Sequence, residues 1–162
     1  GEAPTARPAA TTAPAATSAP AATSAPAATE ALTEASVAAA GARLEISVNG
    51  DALTFDKEKL TASSGNEVLL VLENVSSINQ HNWVLVEAGT KDAVASAGTA
   101  AGPDSDWVEA GDARVIASTK MLTAGATGEV TFTAPAPGTY QFVCTFPGHN
   151  FTMFGDFEVT SG

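Results

Sequence analysis

The amino-acid sequence predicts an all-β fold, a two-sheet sandwich of roughly seven or eight strands, for residues 42 to 162. Short β-prone runs alternate between apolar and polar side chains, as half-buried strands do. Turn-forming residues separate these runs in the segments SVNGD, ASSGN, TAGATGE and APAPGT. The length of this span suits a single domain with a modest core.

The individual strands follow from side-chain alternation along the chain. In RLEISV, the residues Leu44, Ile46 and Val48 share one face, and charged or polar residues share the other. The run EVLLVLEN is apolar on both faces, which is typical of a central strand. The runs HNWVLVE, EVTFTA, TYQFVC and FGDFEVT predict further strands.

Residues 90 to 112 interrupt this pattern because they are rich in alanine and glycine. Thr90, followed by Asp92, can begin a short helix in this segment. We therefore expect a short helical flap on the sandwich.

Residues 1 to 41 form a separate low-complexity region of alanine, threonine, serine and proline, with the hexads ATTAPA, ATSAPA and ATSAPA in succession. Proline in every hexad prevents a continuous helix, and the small side chains bury too little apolar surface to offset the entropy of ordering. The composition predicts a flexible tail. It is either a solubilising extension or a tether to a membrane anchor, and we favour the tether.

Charge and composition exclude several classes of protein. The 7 basic and 18 acidic residues leave a net charge of −11, which repels nucleic acid and anionic lipid. No apolar run reaches the roughly 18 residues of a membrane span. The single cysteine cannot form an intramolecular disulfide, so its thiol is either inert or functional.

The stretch CTFPGHNFTM contains the only cysteine, one of two histidines and one of two methionines. In the preceding strand TYQFVC, alternation places Cys144 on the same face as Tyr140 and Phe142, at the rim of the core. Phe-Pro-Gly-His has the sequence of a type II turn, which would fold His149 back towards the cysteine. Met153 follows, so the loop presents a thiolate, an imidazole and a thioether to one point.

The other histidine, His81, begins the run HNWVLV, where alternation groups it with Trp83 and Leu85. Strand ends and loops converge at the pole of a sandwich, so His81 can meet the loop that carries Cys144. Two imidazoles and a thiolate in a trigonal plane with a weak axial thioether lie between the geometries that Cu(I) and Cu(II) prefer. The sequence therefore predicts a copper site for one-electron transfer, with little movement and no open position for a substrate.

These motifs resemble those of the blue copper proteins, or cupredoxins, and the spacing Cys-x4-His-x3-Met is that of the azurins. The resemblance covers most of residues 42 to 162 and includes the segments TAPAPGTY and TKMLTAG. It implies a Greek-key cupredoxin sandwich with one type 1 copper. The strong ligands would be His81, Cys144 and His149, and Met153 would be the axial ligand.

The resemblance also concerns the neighbours of the first histidine. Asn82 matches the azurin asparagine that ties the two ligand loops together and contacts the thiolate sulfur. The sequence departs from the family at Gln80, where azurins have a glycine whose carbonyl approaches the copper. A fifth, weak contact to copper is therefore not implied at this position.

The alternative functions differ in the metal-ligand residues that they require. A multicopper oxidase or nitrite reductase needs further histidines for a second copper, and this chain has only two. Zinc prefers thiolate, imidazole or carboxylate to a methionine as its fourth ligand. A periplasmic copper carrier or storage protein is the remaining alternative, although it would need exposed, exchangeable ligands. We therefore expect an electron-transfer protein and not an enzyme.

The resemblance implies where such a protein acts. It indicates a photosynthetic or respiratory chain, with a quinol-oxidising membrane complex as electron donor and a cytochrome as acceptor. We expect a monomer in the periplasm or on the outer face of the cytoplasmic membrane, peripheral or tethered through the N-terminal tail.

Overall fold

A computed structural model describes residues 41–162, which form a β-sandwich of two sheets with one α-helix. The predicted tail lies outside these residues except for Gly41, so its structure stays a prediction. No helix among the described residues is long and apolar enough to cross a membrane. The elements in chain order are β1 (Ala42–Ser47), β2 (Lys59–Ser63), β3 (Glu67–Glu73), β4 (Val84–Val86), α1 (Lys91–Ala101), β5 (Val115–Ser118), β6 (Thr127–Thr133), β7 (Gly138–Val143) and β8 (Phe154–Thr160).

The two sheets have three and five strands, in the orders β1-β3-β6 and β2-β8-β7-β4-β5. Strand β1 runs parallel to β3, and β2 runs parallel to β8, whereas all other neighbours are antiparallel. The predicted all-β sandwich of seven or eight strands with a short helical flap is therefore confirmed. The run EVLLVLEN does form the central strand of its sheet.

The core lies between the sheets and is built by the alternation that the sequence predicted. Val68, Leu70 and Leu72 of β3 have no solvent exposure, and the residues between them are half-buried. They face an aromatic cluster in which Trp83 stacks on Phe142 with ring centroids 5.9 Å apart. The same core cluster includes Cys144, which follows β7 directly, so the aromatic core adjoins the segment that carries candidate metal ligands.

The flap explains why residues 81–86 are buried on both faces. Val84 and Val86 of β4 and Val143 of β7 point away from the main core and form a second apolar cluster with Val94 of α1. The helix therefore covers the outer face of the five-stranded sheet. This packing places the beginning of α1 beside the segment that follows β7.

Two strands were not predicted, and one is shorter than expected. The edge strands β2 and β5 have only five and four residues, too few for a clear alternation in the sequence. Strand β4 covers only Val84–Val86 of the run HNWVLVE. His81 instead forms an isolated bridge with Leu122, in which each backbone N–H donates to the other residue's carbonyl at 3.1 and 2.8 Å.

Candidate metal centre

Three donor side chains meet at the end of the sandwich where β7 ends and β4 and β8 begin. The donor atoms of His81, Cys144 and His149 all lie within 4.8 Å of one another. The Cys144 Sγ is 3.8 Å from Nδ1 of His81 and 3.6 Å from Nδ1 of His149. All three residues are buried, with His149 the most exposed at 6%. The structure thus brings together the three residues that the resemblance implied as the strong ligands.

Cys144 owes its position to the end of the β7–β8 hairpin. It follows the last pair of the ladder, Val143 with Phe154, and belongs to the main core with Phe142. Its backbone N–H donates to the carbonyl of Met153 at 3.0 Å, which extends the pairing by one residue. The predicted inward orientation of the thiol is confirmed.

The loop that follows returns His149 to the thiol through the predicted type II turn. The His149 N–H donates to the Phe146 carbonyl at 3.0 Å, and Gly148 has φ 83° and ψ −8°. Such a φ is available to glycine without strain. A short 3-10 helix, His149–Phe151, then leads into β8.

Met153 is fully buried in the same core cluster as Cys144. Its N–H donates to the His149 carbonyl at 2.9 Å, and its carbonyl accepts from the N–H of Cys144. The backbone therefore ties Met153 to two of the donor residues. The other methionine, Met121, was expected in the core and is only half-buried.

Asn82 joins the two segments that carry the donors, as the resemblance implied. Its Oδ1 accepts from the Thr145 N–H at 2.9 Å, and its Nδ2 donates to Thr145 Oγ1 at 2.8 Å. The same Nδ2 donates to the carbonyl of Asp106 in the flap at 3.0 Å. Asn82 follows His81 and Thr145 follows Cys144, so these bonds set the distance between imidazole and thiol.

Burial controls the protonation of the donors. It raises the pKa of the Cys144 thiol to about 11, although hydrogen bonds from the backbone N–H groups of Asn82 and Phe146 favour the thiolate. Burial and the neighbouring His149 lower the pKa of His81 to about 4, and burial also lowers the pKa of His149. Without a metal and at neutral pH, the site therefore contains a protonated thiol beside two neutral imidazoles.

The spacing of the donors fits a metal ion in a trigonal plane. Metal–nitrogen and metal–sulfur bonds of about 2.0 and 2.3 Å at 120° would separate N and S by about 3.7 Å. The two observed separations are 3.8 and 3.6 Å. In addition, Nε2 of His81 is buried without a protein hydrogen-bond partner among the described residues. The one polar contact of the ring among the described residues is between Nδ1 and the Cys144 sulfur, so the ring presents Nδ1 to the position where a metal would bind.

Sequence reasoning missed the contacts that reach the ligand loop from the flap. Asp92 of α1 accepts a hydrogen bond from the side chain of Asn150, and Trp107 packs its ring on Phe146. These pairs are far apart in the chain, so no local pattern indicates them. Two consecutive residues with positive φ, Asp106 and Trp107, mark the turn that makes the second contact possible.

Comparisons with known proteins agree with this site. The chain matches the family described as copper binding proteins, plastocyanin/azurin family, over residues 42–160. Auracyanin-A of Chloroflexus aurantiacus is 43% identical over 118 residues, which are 72% of this chain and 73% of that protein. Azurin of Achromobacter denitrificans is 34% identical over 139 residues, covering 80% of this chain and 93% of the azurin.

The fold agrees as well. The solved structure of auracyanin A, described as a "blue" copper protein from the green thermophilic photosynthetic bacterium Chloroflexus aurantiacus, superposes with a TM-score of 0.71 at 42% identity. The similarity covers 74% of this chain and 99% of that one. A single type 1 copper ion fits the group of His81, Cys144 and His149. The chain therefore belongs to the plastocyanin/azurin family of blue copper electron-transfer proteins, the cupredoxins, and it is similar to the auracyanins and azurins.

Proposed function

We propose that this protein is a one-electron carrier between membrane redox complexes and a cytochrome, and that it has no enzymatic activity. The observation that carries this proposal is the complete burial of Cys144 and His81, with only 6% of His149 exposed. A substrate would need an open position on the metal, whereas an electron can pass through the edge of a ligand. The enclosed site therefore suits electron transfer better than chemistry on a bound molecule.

The chain holds the donors in a geometry that serves both oxidation states. Bound copper would supply a centre that takes up and releases one electron. The bonds between Asn82 and Thr145 and the core beneath Cys144 keep the imidazoles and the sulfur in place while the charge changes. The backbone N–H groups of Asn82 and Phe146 stabilise negative charge on the sulfur. Little has to move, which favours a fast reaction.

We assign Met153 as the axial ligand. It is fully buried, and its backbone bonds to Cys144 and His149 keep it adjacent to the trigonal donors. A thioether is a weak, soft donor that supports Cu(I) and tolerates a long bond to Cu(II). Its role would be to tune the reduction potential.

Electrons would be exchanged at the pole that carries the ligand loop. No charged residue occurs between Thr139 and Gly155 or between Val75 and Val86, in a chain of net charge −11. Within these two segments Phe151 is 74% and Ile78 is 75% exposed. The carboxylates of Asp51 and Asp92 reach these segments from other parts of the chain. Exposed apolar side chains on segments without charges of their own still lose water easily, as a short-lived complex with a redox partner requires. The partner would contact the protein beside His149.

The resemblance to auracyanins supports the biological setting of the proposal. A quinol-oxidising membrane complex would donate the electron and a cytochrome would accept it, in a photosynthetic or respiratory chain. The protein would act as a monomer in the periplasm or on the outer face of the cytoplasmic membrane, with residues 1 to 41 as a tether. Cell fractionation tests this placement, and recovery of the protein with the cytoplasm would contradict it.

A copper carrier or storage protein is the second candidate, because the same donors bind Cu(I) tightly. Exchange of copper with a partner would require exposed ligands, whereas Cys144 has no solvent exposure. Transfer of copper to a chelator and transfer of electrons to a cytochrome distinguish the two functions. We favour the electron carrier because only that function benefits from a buried thiolate.

We predict that the copper-loaded protein has an intense visible charge-transfer band and that Cys144→Ser removes it. The reason is that a thiolate donates charge to Cu(II) strongly in the visible region and a hydroxyl does not. Absorption spectra of both proteins with one equivalent of Cu(II) provide the measurement. A Cys144→Ser variant that retains the full band would exclude the proposed site.

Met153→Leu is expected to keep the visible band and to raise the reduction potential by roughly 60 mV, equivalent to a tenfold shift in the Cu(II)/Cu(I) ratio. Loss of a weak donor disfavours Cu(II) more than Cu(I). Voltammetry measures the change, and Met121→Leu is the matched control because Met121 is half-buried and is not part of the core cluster that contains Cys144 and Met153. Equal potentials in the two variants would show that Met153 is not axial.

Copper uptake at pH 7.5 is expected to release about one proton, because the Cys144 thiol has a pKa of about 11 and must ionise to bind. The imidazole of His81 has a pKa of about 4 and is already neutral. Apparent affinity should therefore rise about tenfold per pH unit between pH 7 and 10. Calorimetric titration in buffers of different ionisation enthalpy counts the proton. A count of zero would mean that the thiol is not a ligand.

Phe151→Glu is expected to slow electron transfer to a cytochrome about tenfold and to leave the visible spectrum unchanged, because the charge must be desolvated on docking. Thr131→Glu, which adds the same charge to an exposed position on β6, is the control. Stopped-flow kinetics give the rate constants. Equal rate constants for the two variants would place the docking site elsewhere.

A further inference from the structure

The first turn of α1 contacts the loop between His149 and Met153. The side-chain Nδ2 of Asn150 donates to Oδ1 of Asp92 at 2.8 Å. The Nζ of Lys91 approaches the backbone carbonyl of Asn150 at 3.3 Å. Two adjacent residues of the helix therefore bind the side chain and the backbone of the residue that follows His149.

Burial shows that these contacts are built into the fold. Asn150 is only 8% exposed, and the side chain of Lys91 is 16% exposed. The ammonium group of Lys91 also lies 4.3 Å from the centre of the Phe154 ring, at the start of β8. A cation in the first turn opposes the helix dipole, so α1 by itself does not favour a lysine here. The ion pair with Asp92 and the contacts with the ligand loop offset that unfavourable position.

The loop is held from the other side by the backbone of the copper site. The carbonyl of His149 accepts from the N–H groups of Thr152 and Met153 at 3.2 and 2.9 Å. The side chain of Asn150 bonds to the helix, and the residue before it, His149, accepts both of these backbone bonds. Any displacement of Asn150 would therefore move His149, because the two residues are adjacent in one short 3-10 helix.

We propose that Asp92 and Asn150, supported by Lys91, form a clamp through which α1 positions His149. The clamp makes the ligand loop part of the rigid flap, so that the imidazole does not shift when the charge of the site changes. It rests on the proposed electron-transfer function and adds positioning residues to it. Asp92 contacts no donor atom; it binds the Asn150 side chain directly, and the same Oδ1 pairs with Lys91 at 2.7 Å.

A second contact from the flap meets the other end of the same loop. The Trp107 ring packs edge-on against Phe146 at 5.6 Å, and Phe146 packs on the His149 ring at 4.7 Å. Trp107 has φ 58°, an unfavourable value for a bulky residue that persists only when its surroundings compensate for it. The flap thus contacts the loop on both sides of His149, which is what a positioning element requires.

The test compares Asp92→Ala and Asn150→Ala singly and together. A further variant combines Asp92→Asn with Asn150→Asp. It restores a hydrogen bond between the two side chains, with the amide now on the helix and the carboxylate on the loop, and leaves the net charge unchanged. Asp104→Ala is the charge-matched control, since Asp104 is an exposed carboxylate in the short helix after α1. Asp92 is exposed, so its variant is expected to fold even if an Asn150 variant does not.

Each single variant is expected to speed Cu(II) release to a chelator roughly fivefold and to slow electron self-exchange roughly threefold, with the visible band retained. The double variant should be no worse than Asp92→Ala, because Asp92→Ala already removes the bond between the two side chains, together with the ion pair to Lys91. The exchanged pair should recover most of both rates. A merely stabilising contact would change the melting temperature without changing self-exchange.

Hydrogen exchange in the copper-free protein tests the clamp independently of the metal. The amides of Thr152 and Met153 should exchange roughly fivefold faster in Asp92→Ala than in the unchanged protein or in Asp104→Ala. If the wild-type protein failed to show the visible band, the proposed function would be wrong and this comparison would still be valid. The clamp would be overturned if Asp92→Ala had the same hydrogen-exchange and copper-release rates as Asp104→Ala. It would also be overturned if the effects of the two single variants added up in the double variant.

Discussion

The metal centre depends first on the pair of hydrogen bonds between Asn82 and Thr145. These residues are 63 positions apart and each follows a donor residue, so their bonds join the two segments that must meet. Both bonds are buried, where competing water is excluded and a lost partner would leave an unsatisfied polar group. The side-chain oxygen and nitrogen of Asn82 both bond to Thr145, which determines the distance and the orientation between the two segments. The remaining features of the site build on this link.

The sandwich supplies a rigid base for that link. Val84 pairs with Val143 in the ladder between β4 and β7, so His81 and Cys144 leave the sheet at the same end. The aromatic core below, in which Trp83 stacks on Phe142, resists displacement because interiors are densely packed. A metal therefore meets donors that the fold has already placed, and little ordering entropy opposes its binding.

Burial has two opposing effects on the site. It excludes water and partner molecules from the donors, which suits electron transfer without side reactions. It also raises the pKa of the Cys144 thiol and disfavours the thiolate that a metal needs. The backbone N–H groups of Asn82 and Phe146 reduce this cost only in part. A metal that bonds strongly to thiolate is therefore favoured over harder ions, which agrees with the copper that the family binds.

The sequence alone determined the parts of this protein that depend on short-range order. Alternation indicated the strands and the inward face of Cys144, and the Phe-Pro-Gly-His turn placed His149 beside it because only a few residues separate them. With two histidines in the chain, His81 could be assigned by counting and by the resemblance to cupredoxins. A two-sheet sandwich of seven or eight strands, its short helical flap and a copper site followed from the same patterns and from the resemblance.

Only the tertiary structure decided which distant residues support the site. The edge strands β2 and β5 are too short to show a period, and each is defined by its pairing with a neighbour that lies deeper in the sheet, β8 and β4 respectively. Along the chain the ligand loop is uncharged, yet α1 brings Lys91 and Asp92 against Asn150. Such contacts depend on how the helix packs over β4 and β7. The direction of this packing produces no periodic pattern or motif in the sequence. Local patterns encode local conformation, whereas the neighbours of the metal centre come from the pairing of segments far apart in the chain.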